Sequence, residues 1–517
     1  MSPDGRPPSA AAPDIGPAGD LGASRAPGDR SDLIEADGAD ERAIPLVIDL
    51  DETLTRVDTL HESAIGLLAL GAPDLLACMR AAFHGKAAVK AAVADRTLPD
   101  ASRLPYREEV LELIRAARAE GRAVHLVTAA DQRIADAVSG HLGLFDGAHG
   151  SDGRTNLGGE TKARFLVERF GARGFDYAGD QRKDLAVWAH ARRAITVGVS
   201  PELARDASEA SGRPEEAIAI ELGAKRGVRP YIRALRPHQW LKNLLLFLPV
   251  LAAHQITPGD LAAVLWAFLA FSLTASSVYC INDLLDLDAD RAHPRKRFRP
   301  FASGQIPALQ GLVMAAVLFL TGFLLASQIN AMTFGVLSVY FGATLLYSLA
   351  LKRELVIDIC LLAGLYTLRV IAGAMAASLA VSPWMLALSV FLFLALAAMK
   401  RQTELVDLAA AGKTETSGRA YRAEDLNVVT MMAIAAGYTA VLVLALYIYS
   451  PAVQQLYVSP LLLWGAPPIL LYWISRMVMI AHRGGMNDDP VLFAVKDPIS
   501  IACGAGIFGV GLLAKIV

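Results

Sequence analysis

The 517 residues predict two folds in one chain: an α/β, Rossmann-like domain with a small helical cap, then an all-α membrane domain of nine transmembrane helices. Three observations predict this. The first is charge. Residues 1–225 carry 27 Lys+Arg against 36 Asp+Glu, and residues 226–517 carry 22 against 15, so the net charge of −2 averages an acidic half and a basic half. The second is hydropathy. The chain is 54% hydrophobic and only 19% charged, against about 25% charged in soluble chains, and the apolar excess begins near residue 237. The third is an alternation of strand and helix patterns over residues 43–222. Together these exclude a single soluble globule, a collagen-like fibre and a wholly disordered chain. Cys78, Cys280, Cys360 and Cys503 lie far apart with no CxxC pair. That speaks against a disulfide framework or a zinc site and fits an intracellular face.

Residues 1–42 are rich in Ala, Gly, Pro and Asp and contain no apolar run, so a disordered tail is expected there. No secretory signal is evident, and the first domain is expected in the cytoplasm. From Ile44, IPLVIDLDETLT reads as a short buried strand ending in acidic residues. Residues 60–95 have helical spacing, and 56–105 reads as a helical insert. YREEVLELIRAARAEG is an amphipathic helix stopped by Gly121. AVHLVTA is the next strand, followed by a helix over about 131–141 and another from Thr161 to Phe170. DYAGD closes a further strand, and AITVGVS forms one more. Strands alternating with helices predict a parallel sheet with helices on both faces, over 43–222.

The membrane domain is expected over 223–517. Nine apolar stretches occur at roughly 241–254, 260–280, 308–327, 332–350, 356–376, 383–399, 428–449, 458–476 and 497–515. Most approach the roughly 20 residues that cross a bilayer; the first is short and carries Pro249. With the first domain inside, alternate loops hold fifteen Lys and Arg, and the opposite loops hold none. This is the positive-inside pattern. It predicts a multi-pass protein of the inner (plasma) membrane with its C-terminus outside. Arg291 reads as ordinary charge of an inner loop.

Chemistry in the first domain gathers at strand ends. Asp49 and Asp51 stand as one carboxylate to attack phosphorus and a neighbour to shuttle a proton. Thr128 can hold a phosphoryl oxygen, and Lys162 can neutralise developing charge. Asp180 and Asp184 can complete a Mg²⁺ site with Asp49. DxDx(T/V), a hydroxyl residue, a Lys and GDxxxD occur in this order, and the region resembles the haloacid dehalogenase superfamily of phosphatases. The resemblance implies an aspartyl-phosphate at Asp49, acid/base work by Asp51, Mg²⁺ held among Asp49, Asp51, Asp180 and Asp184, and a substrate-selecting cap over about 56–105.

In the second domain, NDLLDLDAD starts at Asn282. On one helix Asp283, Asp286 and Asp290 fall within about 60° of a common face, with Asp288 pointing elsewhere. Three such carboxylates suit Mg²⁺ carrying a diphosphate. The basic run that follows supplies Lys296 and Arg299 for phosphate oxygens. A second cluster, Asp358, Tyr366 and Arg369, lies along the fifth stretch. Arg369 is about 16 Å deeper than Asp358, and an arginine there needs a cavity or a partner. It reads as an anion site for a phosphate.

These motifs are similar to the UbiA-type superfamily of intramembrane prenyltransferases. RPHQWLKN, KRFRP, LKRELVIDICLLAGLYTLRVIAG and HRGGMNDDPVLFAVKD resemble the branch that transfers phosphoribose to decaprenyl phosphate. The second acidic motif of the aromatic prenyltransferases, DxxxD, is reduced here to Asp358, with Leu362 four residues on. The resemblance implies phosphoribosyl diphosphate bound through Mg²⁺ to Asp283, Asp286 and Asp290, with Asn282 in support, and attack by a polyprenyl phosphate. Lys242, Lys352, Arg353 and Lys400 are further phosphate ligands under this reading. A fused phosphatase would then remove the ribose 5-phosphate. Two other readings compete: prenyl transfer to an aromatic ring, and a transporter or lipid-binding protein with a regulatory soluble domain. No nucleic-acid partner is expected, and the bundle is compatible with a homo-oligomer.

Overall fold

A computed structural model describes residues 44–70, 72–222, 227–253, 257–412, 414, 419–486 and 489–517. The expected disordered tail, 1–42, lies outside the described residues.

Leu46, Val47 and Ile48 form strand β1 (Leu46–Ile48), buried on both faces as a central parallel strand must be. Leu46 and Ile48 join one apolar cluster and Val47 the opposite one, the period of two expected of a strand. The partners are β2 (Val124–Asp131), β3 (Gly147–Ser151), β4 (Asp176–Gly179), β5 (Arg193–Val197) and β6 (Ile218–Ile220). All pair in parallel, in the order β3-β2-β1-β4-β5-β6. Strands β3 and β6 carry no readable apolar alternation: β3 is GAHGS, and β6 is three residues at the sheet edge. Helices α1 (Thr59–Leu70), α2 (Ala72–Ala81) and α3 (Lys86–Ala94) pack on one another between β1 and β2 as the cap. Helices α4 (Glu108–Ala119), α5 (Gln132–Leu142), α6 (Glu160–Phe170), α7 (Leu185–Trp188) and α8 (Pro201–Ser211) complete this half.

The second half opens with α9 (Arg229–Leu235), a run of 3₁₀ turns over Pro237–Phe247, and the short α10 (Leu248–Ala252). Then follow α11 (Pro258–Leu285), α12 (Leu287–Ala292), α13 (Ala308–Ser327), α14 (Ala331–Leu349), α15 (Ile357–Ala376), α16 (Pro383–Ala410), α17 (Leu426–Ile448), α18 (Pro451–Leu456), α19 (Ala466–His482), α20 (Pro490–Lys496) and α21 (Pro498–Ile516). Among the described residues eight helices are long and apolar enough to cross a membrane, against nine expected. The exception is the first stretch. Pro249 sits in a short α-helical piece, Leu248–Ala252, and the residues before it, from Pro237 to Phe247, are wound as 3₁₀.

That segment runs antiparallel to α11. Arg236 meets Asp283, the Trp240 indole N–H donates to Ser276 Oγ at 3.0 Å, and Asn243 Nδ2 donates to Ser272 Oγ at 3.0 Å. Its backbone also presses on α15 at Gly373, where an added Cβ would lie 1.9 Å from the Leu246 carbonyl oxygen. Only glycine fits there.

A second departure concerns the acidic motif. The single helix expected through 282–290 breaks at Asp286 (φ −98°, ψ 16°), between α11 and α12. Asp283, Asp286 and Asp290 therefore do not share one helical face.

The two halves touch. Ile65 of cap helix α1 belongs to the same buried cluster as Ala234, Cys280, Leu284, Phe301 and Ala308. Beside it Arg291 grips Glu62 with both terminal nitrogens, Nη1 to Oε2 at 2.8 Å and Nη2 to Oε1. Both side chains are almost wholly buried, so Arg291 is an interface residue and not a loose loop charge.

Candidate active sites

The first site lies where β1 ends. After Asp49 the chain turns through one wide helical turn (Leu50–Leu54), with Glu52 at φ 57°. This is the bend that two carboxylates of an Asp-Leu-Asp need to reach one locus. Asp49 Oδ1 accepts from Leu50 N at 2.8 Å and pairs with Lys162 Nζ at 2.9 Å. Lys162 is fully buried and also donates to the Tyr177 hydroxyl at 2.9 Å, which donates to Asp184 Oδ1 at 3.1 Å. Asp184 Oδ2 accepts from the backbone of Asp180 and Gln181. At Gly179 an added Cβ would come within 2.9 Å of that oxygen. Thr53 Oγ1 donates to Asp180 Oδ1 at 2.9 Å. Thr128, fully buried at the same edge, accepts from Ala130 N.

Carboxylate oxygens of Asp49, Asp180 and Asp184 come within 4.8 Å of one another. Such a trio fits a small divalent cation completed by water and phosphate. Asp51 stands outside this trio and is held by Thr59, whose N–H and O–H both donate to Oδ1 at 2.8 and 2.7 Å. Burial, helped by Asp58, pushes the Asp51 carboxyl up to about 7. Burial, and then the Asp49 charge, push Asp180 up to about 8 and raise Asp184 as well.

The sign of these shifts makes a prediction. Carboxyls raised in the fold hold protons more tightly than in the unfolded chain. Their contribution to stability is full below about pH 3.9 and is lost as pH rises towards the folded values. In EDTA, hydrogen-exchange protection factors at β1 and β4 of the full chain, taken against the intrinsic rate at each pH, should therefore fall from pH 4 to 8. Mg²⁺ should remove that trend. Protection independent of pH in EDTA would contradict the shifts.

Sequence reading missed Lys90. It reaches in from cap helix α3 and donates to the Ala129 carbonyl at 2.5 Å and to Asn156 Oδ1 at 2.7 Å. Burial lowers its pKa while the Asp51 charge opposes this. Its only signal in the sequence was its place in the insert.

The second site gathers at the end of α11. Asp283 contacts Arg236 and, at 3.2 Å, Arg299; the same Arg299 nitrogen reaches Asp290 at 2.6 Å. Asp283 and Asp290 are buried. Asp286 is turned to Lys352, 3.6 Å away. No trio like that of the first site forms here among the described residues. Asp283 and Asp290 converge on one Arg299 nitrogen, and Asp286 does not. Asn282 is half-buried beside them, while Lys296 and Arg353 are exposed.

Deeper in the bundle, Asp358 and Arg369 do not meet. Arg369 is held by Asn243 Oδ1 (2.8 Å), the Leu365 carbonyl (2.6 Å) and the Tyr340 hydroxyl (2.8 Å). Its guanidinium also stacks over the Tyr340 ring. Asp358 accepts from the Tyr421 hydroxyl at 2.6 Å and pairs with Arg401 at 2.8 Å. Arg401, one of the fifteen cations that the sequence assigns to alternate loops, is completely buried within α16. Lys242 pairs with Asp489 and lies 5.8 Å from the centre of the Tyr366 ring. Lys400, half-buried, shares the electrostatic neighbourhood of Lys242 and Asp489. Asp489 lies in the HRGGMNDDPVLFAVKD run, where nothing in the sequence sets it apart from its neighbours.

Residues 243–488 match the UbiA prenyltransferase family. A relative from Sinorhizobium fredii, called uncharacterized protein y4nM, is 38% identical over 469 residues, 90% of each chain. The chain belongs to the UbiA prenyltransferase family. A match of 469 residues is longer than either half, so that relative shares the two-part arrangement. The nodulation protein NoeC of Azorhizobium caulinodans is 39% identical over 56% of this chain and 94% of its own. The decaprenyl-phosphate phosphoribosyltransferase of Mycolicibacterium smegmatis is 40% identical over 38% of this chain and 64% of its own. Family membership and the eight apolar helices make this an integral membrane protein.

Proposed function

We propose that the membrane half moves 5-phosphoribose from phosphoribosyl diphosphate to a polyprenyl (decaprenyl-type) phosphate, and that the soluble half then removes the ribose 5-phosphate. The observation that carries this is the pairing of Asp283 and Asp290 with Arg236 and Arg299. Carboxylates for a cation and guanidinium groups for phosphate oxygens share one locus, as a sugar diphosphate donor requires. Asp358, fully engaged by Arg401 and Tyr421, supplies no second acidic motif, and the likeness to decaprenyl-phosphate phosphoribosyltransferases supports the donor.

Asp283 and Asp290, and in the soluble half Asp49, Asp180 and Asp184, would hold Mg²⁺, which would supply neutralising charge to the phosphates. The chain's own groups do the rest. As the C1–O bond to diphosphate breaks, Arg236 and Arg299 stabilise the leaving charge. The acceptor phosphate oxygen attacks C1, held by Lys242 and Lys400 near Tyr366, with Asp489 fixing Lys242. In the soluble half, the Lys162 and Leu50 contacts both use Oδ1 of Asp49, which leaves Oδ2 to attack phosphorus. Asp51, with its carboxyl near neutrality, gives its proton to the departing ribose oxygen. It then takes one from the water that cleaves the aspartyl-phosphate.

We assign the protein to the inner membrane with its first half cytoplasmic and its C-terminus outside. Segment 237–252 is then a ninth crossing in 3₁₀ form. Its greater rise gives about 30 Å, the thickness of the hydrocarbon core.

The test uses purified full chain in nanodiscs with Mg²⁺, decaprenyl phosphate and either phosphoribosyl diphosphate or a prenyl diphosphate with an aromatic acceptor. Mass spectrometry of the lipid should show ribose added from the first donor only. Asp283→Asn should slow transfer about 100-fold or more. Transfer of a prenyl group alone would replace this reading with the aromatic one.

A further inference from the structure

The cap has an outer edge that nothing among the described residues covers. Leu76 and Met79 of α2 and Phe83 of the following turn fall three and four residues apart and are 54%, 59% and 90% exposed. Exposed Arg80, His84 and Lys86 flank them. An apolar strip edged by cations suits the boundary between acyl chains and anionic headgroups. The position agrees. Helix α2 packs on α1, and α1 packs on α11 and α13. The contact lies at span ends, through Ile65 with Cys280, Leu284 and Ala308. In the same cluster α9 contributes Ala234 and Tyr231 while leaving Ile232 52% exposed. The apolar edge is thus carried by a helix that packs on α1, the helix that itself rests on the span ends.

We infer that the Leu76–Met79–Phe83 edge rests in the interfacial layer of the bilayer, and that the soluble site takes a phosphate ester carried on a lipid instead of a free sugar phosphate. The substrate claim rests on the phosphatase reading above; the membrane contact does not. The path is short. Helix α3 starts at Lys86 beside the edge, and one turn later Lys90 reaches the Ala129–Asn156 rim of the site. Two of the three Lys90 ammonium donors are used there, which leaves one for the phosphodiester of a lipid-linked sugar phosphate.

The contact is tested on full chain in nanodiscs containing anionic lipid. A nitroxide is placed at Phe83→Cys, with Cys360→Ser and Cys503→Ser to remove the other accessible thiols, and a second label at Glu112→Cys serves as the aqueous reference. Oxygen should relax the Phe83 label more than a water-soluble nickel chelate does, with the reverse at Glu112. Equal nickel access at both sites overturns the inference. So does spin–spin broadening at Phe83, which would mean that a second copy covers the edge. The substrate claim is read with the triple variant Leu76→Ser, Met79→Ser, Phe83→Ser. Hydrolysis of p-nitrophenyl phosphate should be unchanged, while dephosphorylation of the lipid-linked product should fall about tenfold or more. Equal loss on both esters, or loss on neither, overturns it. If the wild type hydrolyses neither ester, the phosphatase reading itself falls, and the label still decides the membrane contact.

Discussion

Asp49→Asn should stop ester hydrolysis by at least about 10³-fold and leave phosphoribosyl transfer intact. The amide keeps the size of the side chain and can still accept from Leu50 N, so the bend after β1 is preserved. What is lost is the nucleophile. Lys162 loses its 2.9 Å ion pair but keeps the Tyr177 hydroxyl, so the buried ammonium still has a partner. The variant should therefore fold. The readout is the mass of the lipid product: wild type should yield the ribosyl lipid, and Asp49→Asn the same lipid heavier by one phosphate. If both retain the 5-phosphate, the tandem scheme is lost. If both lack it, Asp49 is not the nucleophile.

The soluble site was legible because its chemistry is written in short linear runs at strand ends. IDLDET carries both acidic groups and its own bend, and GDQRKD carries Asp180 and Asp184 with the backbone donors that hold Asp184. Lys90 was not legible, because it reaches the site from the cap; Tyr177 stands in the DYAGD run, but its partners Lys162 and Asp184 come from other elements. Periodicity shows which face a residue takes on its own helix or strand, not what is packed opposite.

The membrane half shows the same limit more sharply. The sign of its charges could be read, but their pairing could not. Arg401 looked like one more loop cation and is wholly buried. Arg291 looked the same and clamps the cap through Glu62. One common face for Asp283, Asp286 and Asp290 assumes one helix, and the break at Asp286 divides them between two. The stretch beside α11 counts as a span by hydropathy, and its shortness and Pro249 mark it as irregular, but hydropathy does not register helical rise or the close approach at Gly373.

Asp358 and Arg401 carry the prediction with the largest effect on stability. Both are completely buried, with 2.8 Å between them. Asp358→Ala leaves the Arg401 charge facing a void, and removing one partner of such a pair costs about 3–5 kcal/mol. Glu404, which also contacts Arg401 and binds Arg419, offsets part of that charge and puts the expected cost at the lower end. Tyr421 adds to the cost, since its hydroxyl loses the acceptor 2.6 Å away. The double variant Asp358→Leu, Arg401→Met removes both charges and fills the space with apolar atoms. It should recover much of the loss, because the pair's attraction only balances the desolvation of its members. Thermal melting of the full chain in detergent, followed by phosphoribosyl transfer at a temperature where every variant is folded, separates structure from catalysis. A single variant that melts low, with its stability restored in the double, makes the pair a brace between α15 and α16. Single variants that melt like wild type yet transfer nothing would return Asp358 to the substrate site.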